Sequence, residues 1–125
     1  MITDPSTLIL SLARLLLGGS FLLFGIRNIR HITGLTAGLT ARGMPLPRLA
    51  AMIGVGLQIV GGALTAIGPF GLIGGVLLIV FLVFATVLFH NFWDYSGADR
   101  TTHLNATIMN VGLVGAFLLP VATGL

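Results

Sequence analysis

The chain has 125 residues, 56% of them hydrophobic and only 7% charged, with a mean hydropathy of +1.10. A soluble domain of this size carries roughly a quarter charged residues, so a water-facing globule is excluded and the bilayer is the solvent that fits. The net charge of +3 comes from six Arg against three Asp, with no basic run among aromatics, which argues against nucleic-acid binding; the absence of Cys excludes disulfides, thiolate chemistry and thiolate metal sites.

The first segment reads as a helix over residues 6–29. Asp4 or Ser6 stands where an N-cap belongs, with Pro5 in a first-turn position. Met1-Ile2-Thr3-Asp4-Pro5 carries an acid and no basic stretch, so the apolar run after it reads as a retained helix, not a signal peptide. Leu8 to Ile26 is about 19 residues, enough at ~1.5 Å each to cross a hydrocarbon core of about 30 Å. Arg14 interrupts this run. Gly18, Gly19, Ser20 and Gly25 leave part of its surface small, so that a neighbouring backbone can come close.

The most basic stretch follows, with Arg27, Arg30, Arg42, Arg48 and His31. Within it, residues 32–41 read as a short interfacial helix carrying Ile32, Leu35 and Leu39. Pro45 and Pro47 end it, and each is expected to hold the residue before it extended. A second span is expected over 48–67, with Gln58 at its centre and a close-packed face of Gly54, Gly56, Gly61 and Gly62. Gly68-Pro69-Phe70-Gly71 reads as a tight uncharged turn, and 70–90 as the third and most lipid-like span. The connection from Leu88 to Arg100 is where polarity gathers: it holds Asp94, Asp99, His90, Trp93 and Tyr95. The last span is expected over 101–121, with Asn105, Thr107 and Asn110 in its first half and Pro120 weakening its end.

These elements predict an all-α membrane protein: an antiparallel bundle of four transmembrane helices, with a short interfacial helix between spans one and two, in a single four-span domain over residues 1–125. The first connection carries four Arg and no acid, so the positive-inside bias places connections one and three in the cytoplasm and both termini outside.

Depth sorts the polar residues. Ser20, Gln58 and Asn110 each lie roughly 10–15 Å inward from the arginine-rich side. His103, Thr107 and Asn110 share a helix face at i, i+4, i+7, as do Thr86 and His90. The spacing predicts a polar funnel, with His90, His103, Asp94 and Arg27 at its mouth and Gln58 and Asn110 at its floor. Two readings stand for Gln58 and Asn110. They either bond across to a neighbouring helix and hold the bundle in register, or they line a ligand pocket. Trp93 and Tyr95 read as interface-belt anchors, with a stacking platform as the alternative. His90 and His103 show no spacing that supports a metal site. Arg14 lies about 9 Å in from the opposite face. It either snorkels to lipid phosphate, caps helix carbonyls of a neighbouring chain, or holds an anionic or quinone-like ligand.

Three stretches together resemble the DoxX family of small four-helix bacterial membrane proteins. They are Arg14-Leu15-Leu16-Leu17-Gly18-Gly19-Ser20-Phe21 with Phe24-Gly25-Ile26-Arg27; Gly43-Met44-Pro45-Leu46-Pro47 leading to Gly61-Gly62; and Ala85-Thr86-Val87-Leu88-Phe89-His90-Asn91-Phe92-Trp93 with Asn110 in the last span. The resemblance implies a membrane subunit linked to sulfur and redox metabolism, the family being named for a thiosulfate:quinone oxidoreductase. Within it Arg14, His90, Asn91, Trp93 and Asn110 match typical positions. The chain departs at Gln58, where relatives commonly carry an acid, and at Arg27, where Lys is expected. Loss of the acid argues against proton-coupled chemistry.

The function expected is therefore an integral inner-membrane accessory subunit of a larger redox complex, lining a quinone or lipid site, with no intrinsic cofactor. Its partners would be the bilayer and other membrane subunits or further copies of itself. One alternative is a quinone-linked oxidoreductase subunit in which His90, Asp94 and Arg27 relay protons. A small solute transporter or channel is another.

Overall fold

The computed structural model describes residues 5–68 and 70–123. The expected cap at Asp4 and the proline of the second connection, Pro69, lie outside the described residues. Five helices follow one another: α1 (Pro5–Arg30), α2 (Ile32–Ala41), α3 (Pro47–Ile67), α4 (Gly71–Phe89) and α5 (Gly97–Thr123), with a 3-10 turn over Phe92–Asp94 between the last two. No strand occurs among the described residues. In hydrocarbon every backbone N–H and C=O must be satisfied within the element, and a helix does this alone. α1, α3, α4 and α5 are each long and apolar enough to cross a membrane, while α2 is a shorter apolar helix between the first two spans.

Glycine sets how the spans pack. α1 lies against α3 so closely that a Cβ on Gly18 would come 2.5 Å from the Gly62 carbonyl oxygen, and one on Gly62 would come 2.6 Å from that of Gly18. α3 meets α4 in the same way, with a Cβ on Gly74 falling 2.5 Å from the Thr65 nitrogen. α4 meets α5 at Gly75, where an added Cβ would fall 3.0 Å from the Phe117 carbonyl oxygen. Close backbone approach replaces the hydrophobic driving force that lipid cannot supply. Phe21, Leu78, Leu82 and Phe117 form the buried centre, where Phe21 packs edge-on against Phe117 with ring centroids 5.1 Å apart and joins α1 to α5. Large apolar side chains such as Ile9, Leu16, Phe84, Met109 and Val111 are exposed around the outside, as lipid-facing residues are.

The chain differs from the sequence reading in three places. α5 starts at Gly97, four residues before the expected Thr101, because Gly97 turns the chain at φ +63° and Asp99 can sit in a first turn beside the positive helix end. α5 also runs straight through the buried Pro120 to Thr123. The nearby Thr123 hydroxyl bonds back to Leu119 and Pro120 carbonyls. Lastly, Leu46 is left-handed (φ 51°, ψ 57°) instead of extended; Pro47 bars the right-handed helical region to it, and the chain must reverse between α2 and α3.

Candidate functional site

The polar residues gather at the end of the bundle where α1 and α4 finish and α3 and α5 begin. The chain leaves α4 at His90, makes the Phe92–Asp94 turn and enters α5 at Gly97. Asn91 holds this turn by donating to the Asp94 carboxylate at 2.7 Å. Arg42, at the C-terminal end of α2, reaches across to it. One guanidinium nitrogen donates to the Asn91 side-chain oxygen, the other donates to the Tyr95 hydroxyl at 3.1 Å, and the group lies 5.9 Å from the centre of the Phe89 ring. Tyr95 in turn stacks on His103, with ring centroids 4.3 Å apart and an interplanar angle of 26°. His103 and His90 face each other with Nδ1 atoms 3.3 Å apart. One of these rings therefore donates while the other accepts. The Thr107 hydroxyl lies 2.9 Å from the His103 carbonyl and 3.1 Å from that of His90, stitching α4 to α5. Deeper, Asn110 donates to the Thr86 hydroxyl at 2.9 Å.

Gln58 belongs to a different place. It is buried, and its side-chain oxygen accepts from the Asn28 amide at 2.8 Å, joining α3 to α1. This amide pair forms the polar wall of a cavity of about 380 Å³ between α2, α3 and α4. The other walls are apolar: Leu35 and Leu39 from α2, Val55 and Leu57 from α3, and Phe81, Phe84 and Phe89 from α4. Gly38 fits α2 against α4 here, since a Cβ on it would come 3.3 Å from Phe89. Phe89 thus lines the cavity on one side and carries Arg42 on the other.

The expected residues divide accordingly. His90, Asn91, Asp94 and His103 meet in the network, and Thr86 and Asn110 form a pair below it. The single funnel does not form: the Gln58 pair faces the α2–α3–α4 cavity, while the Asn110 pair lies between α4 and α5. Arg27 is exposed on the last turn of α1 and takes no part; Arg42 stands where it was expected. Trp93 is 54% exposed, in edge contact with Phe92 alone among the described rings. Arg14 is at the opposite end of the bundle, beside Gly68. Arg42 and Asn28 are the site residues that the sequence did not single out, and Tyr95 takes the stacking alternative, against His103. Arg42 was hidden because its partners lie 49 and 53 residues away.

The arrangement can pair two imidazoles and fix a turn with an arginine fork. It can also receive an apolar molecule carrying one hydrogen-bonding group. Among the described residues no three His, Cys, Asp or Glu side chains converge.

A family model described as DoxX matches residues 9–91. The chain belongs to the DoxX family. The match to DoxX runs from α1 to Asn91, so it takes in Asn28, Arg42, Gln58 and His90, and stops before Tyr95, His103 and Asn110. The chain is also 30% identical over 116 residues to the inner membrane protein YphA of Escherichia coli (strain K12), an alignment covering 93% of this chain and 83% of that protein. No solved structure matches this DoxX chain.

Proposed function

We propose that this DoxX protein is a multi-pass inner-membrane subunit that holds a quinone or a comparable neutral lipid in the α2–α3–α4 cavity, as an accessory part of a larger membrane complex. The cavity with its one amide-lined wall carries the reading. Its volume of about 380 Å³ is in the range of small-ligand sites, and such sites are largely apolar with a few placed polar groups. The bond between Asn28 and Gln58 uses one N–H of the first and the oxygen of the second, which leaves the Gln58 amide N–H₂ for a ligand carbonyl. Location in an inner membrane is supported by the four apolar helices and by the likeness to YphA.

The experiment is gentle native extraction from the protein's own membrane, with mass identification of every co-purifying protein and analysis of bound quinones and lipids. The expected result is stoichiometric recovery with a larger membrane complex and a quinone or neutral lipid. Recovery of the protein alone with bulk lipid would overturn the reading.

A further inference from the structure

A second cleft opens at the other end of the bundle. It has a volume of about 560 Å³ and lies between α1 and α5. Phe21, packed edge-on against Phe117, forms its back. Its polar lining is limited to Arg14, Ser20 and Thr123. The two hydroxyls are already bonded to carbonyls of their own helices, Ser20 to Leu16 at 2.6 Å and Thr123 to Leu119 at 3.0 Å. The guanidinium is not used up. Arg14 donates from Nη2 to the Ser11 hydroxyl at 3.3 Å, and its Nε is buried beside Gly68 without a partner. The described carboxylates, Asp94 and Asp99, are both at the far end of the molecule.

Arg14 is level with the α3–α4 connection, since a Cβ on Gly68 would come 3.0 Å from its Nε. From Arg14 to Phe24, the innermost α1 residue of the cleft, is about ten residues or roughly 15 Å. That is half of a hydrocarbon core of about 30 Å, the depth of one leaflet. We propose that this cleft binds an anionic phospholipid, with an acyl chain between α1 and α5 and the phosphate on the Arg14 guanidinium. A guanidinium fork matches phosphate in shape and charge. A lipid of net negative charge is favoured over a zwitterionic one because no carboxylate among the described residues is near to receive an ammonium group. The site is separate from the Gln58 cavity and does not depend on it.

The test uses the full chain in nanodiscs containing equal amounts of phosphatidylglycerol and phosphatidylcholine, with retained lipids read by native mass spectrometry. The wild-type chain is expected to retain phosphatidylglycerol preferentially. Arg14→Gln should lower that preference about tenfold, the size of one charged hydrogen bond, and Arg14→Lys should keep part of it. Ala116→Phe fills the cleft and leaves the charge, so it should release the lipid; Arg30→Gln, at the other end, should change nothing. Helical content and thermal unfolding check each variant's fold. If Arg14→Gln does not fold, Arg14→Lys and Ala116→Phe decide. Equal retention of both lipids by the wild type, or unchanged preference in Ala116→Phe or in folded Arg14→Gln, would overturn the proposal.

Discussion

Arg42 ties the end of α2 to a turn about fifty residues further along the chain, through Asn91 and the Tyr95 hydroxyl. Hydrogen bonds to a charged group are each worth about 1.5–3 kcal/mol when buried, and less where water reaches them, as at this half-buried end. Arg42→Ala is therefore expected to destabilise the fold by about 1–2 kcal/mol and to speed amide hydrogen exchange across residues 91–95 and α2, measured by mass spectrometry. Unchanged exchange there would show that Arg42 does not hold the turn. The sequence marks residues of this site unevenly. His90, Asn91, Asp94 and His103 are conspicuous because they are polar residues beside long apolar runs. Arg42 and Arg27 are indistinguishable in one dimension, since both sit in the same basic connector, and only the fold-back of α2 selects between them. For Tyr95 the sequence left an interface anchor and a stacking platform open, and its ring against His103 favours the second.

At the scale of the helices, the glycines are not equivalent. A Cβ on Gly18 would strike backbone atoms of α3 at 2.5 Å, whereas Gly19 has nothing within 4 Å. Gly18→Ala is expected to weaken the α1–α3 contact by about 1–3 kcal/mol, as overpacking does. Gly19→Ala should be neutral or stabilising by up to about 1 kcal/mol, through helix propensity. Unfolding of the two variants in a mixed-detergent titration separates them, and equal behaviour would contradict the packing described. The first three spans were legible to within about one residue because hydropathy ends where these helices end. The start of α5, its passage through Pro120 and the left-handed Leu46 were not. Each depends on what the backbone must do locally to reverse or continue, which composition does not encode.

The whole molecule is electrically lopsided. Arg27 and Arg30 close α1, Arg42 ends α2, Arg48 opens α3 and Arg100 opens α5, all at one end, leaving Arg14 alone toward the other. By the positive-inside bias the network end is expected to face the cytoplasm. Because the chain has no Cys, Ser96→Cys gives a single label site on the exposed turn beside the network. A membrane-impermeant maleimide should reach it in inside-out vesicles and not in right-side-out ones; the reverse pattern would invert the topology. The bundle as a whole presents a largely apolar cavity between α2, α3 and α4, with Gln58 buried in its polar wall. The most direct measurement is the amount of quinone or neutral lipid released from natively extracted wild-type protein and from Gln58→Leu, each normalised to folded protein. The account predicts close to one molecule per wild-type chain and about tenfold weaker retention in Gln58→Leu, whose leucine fills similar space without a donor. Equal retention by the two proteins, or none by the wild type, would contradict it.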